Sequence, residues 1–234
     1  MNAPDCSSPG EENSRVMWGL FRRRPCLVPT WRGLLLLLLV LLVVIGVGVQ
    51  GIHPFLASND PVREGLLVME GWAPDYALTE ALTELRSNRF EKVYVAGGPL
   101  EWGAPLSEYR TYAERGAAVF LKWGLATNQV QAVPTPPTRQ DRTYASALAL
   151  KRWWLEHGLT PRNVQLISVG PHARRSRLLY QKALGKDVNV GITSVPDQDY
   201  DPEQWWRSSA GVRSVIDESV AYLYAKLFFH PPPR

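Results

Sequence analysis

A histidine and an arginine three residues apart are the side chains of this sequence best suited to chemistry. His172 follows an apolar run that closes with Gly-Pro, and Arg175 falls on the same side of the helix predicted after it. An imidazole at that place can donate or accept a proton near neutral pH, and a guanidinium can hold an anion. The alternative is a surface histidine in a basic turn of solvated arginines. We favour the functional pair, with His172 as general acid or base and Arg175 as a ligand contact.

A carboxylate stands in a comparable position after another apolar run. Glu70 ends the sequence LLVME and is followed by Gly71. At the end of a buried strand a carboxylate can serve as a general base or contact a ligand. It can equally accept N–H bonds from the next helix. We predict that Glu70 assists His172 in catalysis.

Other polar residues and glycines follow further predicted strands. Glycines 97 and 98 would let a ligand approach backbone amides, although glycines at strand ends often only turn the chain. The hydroxyl of Thr143 could bind a ligand, or Asp141 and Thr143 could cap a helix. The same choice applies to Glu108, near a predicted helix start. The predicted ligand-binding residues are Gly71, Gly97, Gly98, Glu108, Asp141, Thr143 and Arg175.

No pattern in the sequence indicates a bound metal or a particular cofactor. The four histidines show no metal-ligand spacing, and neither a G-x-S-x-G nucleophile elbow nor a Walker A loop occurs. Both cysteines, Cys6 and Cys26, precede a long apolar run. Their position excludes a disulfide framework or a thiolate cluster in the rest of the chain. We therefore predict no metal site and leave the cofactor unknown.

Apolar runs and helical patterns alternate five times along the part of the chain that carries these residues. The patterns predict strands at residues 65–70, 92–96, 129–133, 163–169 and 187–192, and helices at residues 75–87, 107–123, 143–157, 173–184 and 203–229. Strands that are apolar throughout are typical of a parallel sheet covered on both faces. We predict a three-layer, Rossmann-like α/β domain with a mainly parallel sheet of about five strands. Because the carboxyl ends of such strands share one edge, Glu70, Thr143 and His172 should converge there.

An uncharged run precedes this domain. Residues 33–52 carry no charge, and a helix of this length spans about 30 Å, the thickness of a bilayer core. The run lacks the polar face of a soluble helix, and no clear signal-peptidase site follows it. Arginines precede it, so the positive-inside rule places the N-terminus in the cytoplasm. We predict a cytoplasmic basic tail at residues 1–32, a transmembrane anchor at residues 33–52, a linker at residues 53–63 and an extracytoplasmic domain at residues 64–230.

Composition narrows the partners of this domain. The 234 residues are 45% hydrophobic and 21% charged, which excludes a wholly disordered chain and a fibrous repeat. Residues 53–234 hold 21 basic and 19 acidic residues, so they are nearly neutral. This balance gives no electrostatic reason to expect nucleic acid as a partner. The partners we predict are the membrane and a small anionic ligand, and protein partners stay unknown.

The sequence resembles the ElyC/SanA/YdcF family of bacterial envelope proteins over residues 64–228. The matching pieces, in order, are GLLVMEG, KVYVAGG, SEY, DRTYASA and LISVGPHARRS, followed by a long terminal helix. Thr143 matches the family's threonine before the third helix, and Ser107 and Glu108 match its Ser-Glu pair. The chain departs from the family in lacking the Asn that often follows this threonine and the Arg usual early in the first helix.

The resemblance implies a Rossmann-like domain on a single anchor in the bacterial inner (plasma) membrane, with a role in cell-envelope or peptidoglycan metabolism. We expect the domain to bind or process an anionic, phosphate-containing envelope precursor. If it is an enzyme, we expect a hydrolase or transferase. Two alternatives stay open: a non-catalytic envelope binding or regulatory module, and a domain that binds a nucleotide or S-adenosylmethionine. An extracytoplasmic location disfavours the last, because little of either compound occurs there.

Overall fold

The structure is a computed structural model, and it describes residues 15–16, 21–22, 30–87, 90–101 and 103–231. Most of the expected cytoplasmic tail, residues 1–32, lies outside the described residues, and so do Cys6 and Cys26. Within the tail, two short strands, Arg15–Val16 and Phe21–Arg22, pair antiparallel.

The chain divides into two compact units, residues 1–45 and 46–234. Helix α1 (Trp31–Leu56) begins in the first unit and ends in the second. An 18-residue stretch of α1 has a mean hydropathy of 2.9, and none of this stretch is buried. Among the described residues, α1 is the only helix long and apolar enough to cross a membrane.

The second unit contains a five-stranded parallel sheet. Its strands are β1 (Leu66–Glu70), β2 (Val93–Gly97), β3 (Val130–Pro134), β4 (Asn163–Val169) and β5 (Asn189–Val195). Their spatial order is β3-β2-β1-β4-β5, and every neighbouring pair runs parallel. The predicted Rossmann-like α/β fold is confirmed. The strand order reverses direction between β1 and β4, which is where such sheets open a crevice for ligands.

Helices cover both faces of this sheet. They are α2 (Asp75–Arg86), α3 (Tyr112–Lys122), α4 (Arg142–Glu156), α5 (His172–Leu184) and α6 (Ser209–Leu227). Short 3₁₀ helices lie at Ala104–Leu106, Thr127–Gln129 and Pro202–Arg207. Successive residues of β1 alternate between the two cores: Leu67 and Met69 pack with α2 and α3, while Val68 packs with α4 and α5. Helix α6 packs on the outside of α5.

Two helices start later than the sequence pattern predicts. The helix expected from residue 107 begins at Tyr112, because Thr111 and Glu114 form a reciprocal capping box. Thr111 is held extended by a bridge to Pro99. The terminal helix expected from residue 203 is broken at Ser208, whose hydroxyl caps α6 by accepting the Gly211 N–H.

The segment expected to be a linker is packed against the domain. Helix α1 continues to Leu56, and both His53 and Leu56 are buried. Beyond the helix, Asp60 exchanges backbone hydrogen bonds of 2.9 and 3.0 Å with Ile192 of β5. The apolar end of α1 and this antiparallel bridge therefore hold residues 53–63 against the domain.

Candidate functional site

A cavity of about 610 Å³ lies at the carboxyl ends of the central strands. It includes the crevice between β1 and β4 and extends past the ends of β2 and β3. Six residues predicted from the sequence line it, namely Glu70, Gly97, Gly98, Thr143, His172 and Arg175. The expected convergence of Glu70, Thr143 and His172 on one edge is therefore observed, while their roles stay predictions.

A tight turn delivers His172 to this edge. Strand β4 ends at Val169, and Gly170 then adopts a left-handed conformation with φ of +48°. This conformation favours glycine because it has no Cβ. Helix α5 starts two residues later at His172, so His172 and Arg175 both lie on its first turn.

Glu70 is a buried carboxylate beneath the cavity, with a relative exposure of 4%. The hydroxyls of Ser168 and Ser176 donate to it, Ser168 to Oε2 at 2.5 Å and Ser176 to Oε1 at 3.0 Å. Burial alone would raise the pKa of Glu70. The charge of His172 and the hydrogen bonds outweigh burial, so the pKa is lowered and Glu70 is ionised at neutral pH.

His172 lies between two carboxylates. Its Nδ1 is 2.8 Å from Oε1 of Glu218, and its Nε2 is 3.5 Å from Oε1 of Glu70. Burial lowers the pKa of the imidazole, but the Glu70 charge and the bond to Glu218 raise it more strongly, to about 9. His172 is therefore an imidazolium at neutral pH, and its Nδ1 donates to Glu218.

Arg175 shares Glu218 with this histidine. Its Nε donates to Oε2 of Glu218 at 2.7 Å and its Nη2 donates to Oε1 at 2.9 Å, a two-bonded guanidinium–carboxylate pair. Burial raises the pKa of Glu218, but these bonds and His172 lower it to about 2. Nη2 of Arg175 also lies 2.8 Å from Nδ1 of His172, because both nitrogens donate to the same oxygen, Oε1 of Glu218.

The Nε2 atom of His172 is a buried donor without a hydrogen bond to any described residue. Its 3.5 Å separation from Glu70 is too long for a good hydrogen bond. The ring edge of the neighbouring Trp72 packs against the imidazole, with ring centroids 5.0 Å apart. Within the described residues, Nε2 therefore keeps an unbonded N–H beside the ionised Glu70.

The far wall of the cavity is polar and less buried. Arg142 and Glu101, both exposed, form an ion pair there, and the hydroxyl of Thr135 donates to that of Ser146 at 3.0 Å. The charged groups lining the cavity are Glu70, Glu101, Glu218, Arg142, His172 and Arg175. With His172 protonated, three cations face three carboxylates. These charges sum to zero. A preference of the cavity for an anionic ligand must therefore come from the hydrogen-bond donors that face the ligand.

Three predicted ligand-binding residues do not line the cavity: Gly71, Glu108 and Asp141. A Cβ on Gly71 would lie 2.4 Å from the Tyr112 carbonyl oxygen, so this glycine permits α3 to pack closely. Glu108 is exposed in the loop before α3, because that helix starts at Tyr112. Asp141 precedes α4 with φ of +51°, and its side chain makes no cap. Burial lowers the pKa of Arg175, but Glu218 and, to a smaller extent, Glu70 and Asp141 raise it.

Three residues of the charge network were not among the predicted site residues: Ser168, Ser176 and Glu218. Both serines interrupt buried apolar positions, Ser168 in β4 and Ser176 on the inner face of α5. A serine at an otherwise apolar, buried position is a pattern in the sequence that could have indicated a polar site. Glu218 lies on α6 beside the acidic Asp217, and its local sequence gives no sign that it reaches α5.

Metal-binding side chains do not cluster in the part of the chain that the structure describes. No group of three or more His, Cys, Asp or Glu residues there is arranged to hold a metal ion. The ionised Glu70 and Glu218 are instead neutralised by His172 and Arg175.

Comparison of the chain with protein-family models, with curated proteins and with solved structures gives no match. The geometry of the cavity is accordingly the basis on which a function can be proposed.

Proposed function

We propose that this chain is a membrane-anchored, extracytoplasmic protein of the bacterial cell envelope that binds a small, anionic, phosphate-containing molecule in the cavity. One observation carries the proposal: the protonated His172 and Arg175 stand on the first turn of α5, and both line the cavity. The N-terminus of a helix, an imidazolium and a guanidinium each favour an anion.

Arg175 has a donor to offer such a ligand. Its Nε and Nη2 atoms are bonded to Glu218, but within the described residues its Nη1 makes no hydrogen bond. Nη1 and the His172 Nε2 are thus the two charged donors left over beneath the cavity. Gly98 and Thr143 on the opposite wall supply a backbone amide and a hydroxyl.

We propose further that the protein acts on this molecule as a hydrolase or transferase. In hydrolysis, the oxygen of water bonds to phosphorus while the bond from phosphorus to the leaving oxygen breaks. His172 donates its Nε2 proton to that oxygen and regains a proton from solvent, while the proton that water loses passes to solvent. Glu70, 3.5 Å from Nε2, assists by holding His172 in the protonated form that this step needs. Arg175 stabilises the charge on the phosphate.

A non-catalytic envelope binding or regulatory module is the second candidate, and one observation favours it. The charged groups beneath the cavity are already bonded to one another, since Glu218 holds Arg175 and two serines hold Glu70. Such a network can fix a surface for a ligand or partner without performing a reaction. This candidate shares the binding site of the first and differs only in turnover.

A nucleotide or S-adenosylmethionine is supported less well. In dinucleotide-binding Rossmann domains, a glycine-rich G-x-G-x-x-G turn follows the first strand and an acidic residue further on binds the ribose. Here the first turn reads EGWAP, and β2 ends at Gly97 and is followed by Gly98.

Membership of the ElyC/SanA/YdcF family is likewise a proposal. It is supported by the position of the LISVGPHARRS piece, which spans the end of β4 and the start of α5. The DRTYASA piece, with Thr143, opens α4 on the wall of the same cavity. These two matched pieces thus meet at the cavity.

Binding is tested by calorimetric titration of the full chain in detergent micelles with inorganic pyrophosphate at pH 7. We expect Arg175→Ala and His172→Gln to weaken binding at least tenfold, since each removes a charge-assisted hydrogen bond. Arg152→Ala, an exposed arginine elsewhere on α4, is the matched control and should bind as the wild type does. Equal binding by all variants would contradict the proposed site.

Turnover separates the two candidates. Phosphate release from N-acetylglucosamine 1-phosphate is followed by ³¹P NMR for the wild type and His172→Gln. Release that the variant abolishes supports the hydrolase, whereas binding without release supports the binding module. The compartment is tested by fusing alkaline phosphatase after residue 234, because this enzyme is active only outside the cytoplasm. An inactive fusion would contradict the extracytoplasmic placement.

A further inference from the structure

We infer that the turn Pro202–Arg207, called here the tryptophan turn, is a second contact of this protein with the lipid bilayer. The partner is the interfacial layer of the bilayer that α1 enters. The inference does not depend on the ligand that the cavity binds.

The tryptophan turn is hydrogen-bonded to the apolar run of α1. The indole Nε1 of Trp205 donates to the carbonyl oxygen of Val49 at 3.0 Å. Val49 belongs to the uncharged run, which ends at residue 52. Trp205 therefore lies beside the last turn of the segment expected to cross the bilayer.

Packing fixes the turn to this part of α1. Leu56 and Trp205 belong to one buried cluster, and Val49 and Ile52 pack against it. A hydrogen bond of 3.1 Å between Nε2 of His53 and the hydroxyl of Tyr200, just before the turn, adds a polar link. The turn must therefore stay at the depth of residues 49–53.

The neighbouring Trp206 presents its ring outward. It is 40% exposed, while Trp205 is only 7% exposed. The two rings meet edge to face with centroids 5.9 Å apart, so Trp205 holds Trp206 in place. Tryptophan prefers the boundary between lipid and water, because its ring is apolar and its N–H is polar. An exposed indole beside the end of an apolar span is therefore placed where lipid headgroups meet acyl chains.

The charges around the turn indicate the kind of contact. Asp201 and Glu203 precede Trp206 in the sequence, Arg207 follows it, and all three are exposed. With two acidic residues and one basic residue, the turn itself offers no net attraction to anionic lipid. The contact should rest on burial of the indole and should be the same on zwitterionic and anionic bilayers.

The test uses the full chain in phosphatidylcholine nanodiscs, with Cys6 and Cys26 replaced by serine so that one cysteine carries a nitroxide label. The label is placed at Gln204→Cys, which keeps Trp206, and separately at Trp206→Cys. Leu155→Cys is the control, because Leu155 is 58% exposed at the end of α4 that is remote from the carboxyl edge. Accessibility to oxygen and to a water-soluble nickel complex gives the depth of each label.

We expect both turn labels to be at least several-fold better shielded from the nickel complex than the control, and to be reached by oxygen. The same result should hold with phosphatidylglycerol added. Nickel accessibility equal to that of position 155 would overturn the inference. Shielding from both reagents would also overturn it, since it would indicate a protein partner. In unlabelled protein, brominated lipid should quench wild-type tryptophan fluorescence more than that of Trp206→Phe.

Discussion

Glu218 accepts two hydrogen bonds from Arg175, at 2.7 and 2.9 Å, although 43 residues separate them. The same carboxylate bonds Nδ1 of His172. One acidic side chain from the last helix thus fixes both cationic residues of the candidate site. The protonation of His172 and the orientation of Arg175 thus depend on a residue that is distant from both in the sequence.

The first prediction concerns the pKa of His172. NMR titration should give a value of about 9 in the wild type. Both Glu70→Gln and Glu218→Gln should lower it, because each removes a carboxylate that raises the pKa against the effect of burial. If the pKa of His172 is unchanged in both variants, the two carboxylates do not stabilise its protonated form.

The second prediction concerns stability against pH. The pKa of His172 is raised from 6.5 to about 9, so its contribution to the free energy of unfolding is full below pH 6.5 and is lost as the pH rises through 9. The pKa of Glu218 is lowered from 4.5 to about 2, so its contribution is full above pH 4.5 and is lost as the pH falls through 2. Denaturant unfolding should show both losses. In Glu218→Gln, the decrease in the free energy of unfolding at acidic pH should be smaller than in the wild type.

The third prediction compares two adjacent glycines. A Cβ on Gly97 would lie 2.7 Å from the Cβ of Tyr112, whereas a Cβ on Gly98 would meet nothing within 4 Å. Gly97→Ala should therefore lower the free energy of unfolding by about 1–3 kcal/mol, the usual cost of overpacking. Gly98→Ala should cost far less and should instead narrow the cavity. Chemical denaturation measures both, and equal costs would show that α3 can shift without penalty.

The fourth prediction concerns the start of α3. Thr111→Ala removes the hydroxyl that accepts the Glu114 N–H at 3.2 Å, and it should destabilise the protein by about 1 kcal/mol. Ser107→Ala is the comparison, because Ser107 lies before the helix and its hydroxyl accepts only the Tyr109 N–H of that loop, at 3.1 Å, so its loss should cost less than the loss of the helix cap. Thermal unfolding of both variants provides the measurement. If Ser107→Ala lowered the stability more than Thr111→Ala, the helix would start near residue 107, as the sequence pattern predicts.

The fold could be predicted because its signals are local. Three of the strands end at or just before a glycine, namely Gly71, Gly97 and Gly170, and residues 93–97 and 163–169 are nearly as apolar as buried parallel strands require. The start of α3 was mispredicted although its signal was present, since Thr111 and Glu114 have the spacing of a capping box. The Ser-Glu pair at residues 107–108 is a competing start signal a few residues earlier in the sequence.

The candidate site was predictable only where its residues follow strands. Glu70 and His172 could be placed at one edge because parallel strands end together. Glu218 could not be placed, because its position depends on how α6 packs across α5. Gly71 and Gly97 could not be recognised as packing positions, since the approach of α3 to the strand ends is a tertiary contact.

The bridge between Asp60 and Ile192 has a consequence for proteolysis. Asn59 and Asp60 bond to the outer side of β5, which is the last strand of the sheet and would otherwise present unpaired backbone groups there. Cleavage at these residues would do more than release the domain from its helix. It would expose the unpaired backbone groups of an edge strand, so the released domain would be prone to aggregate.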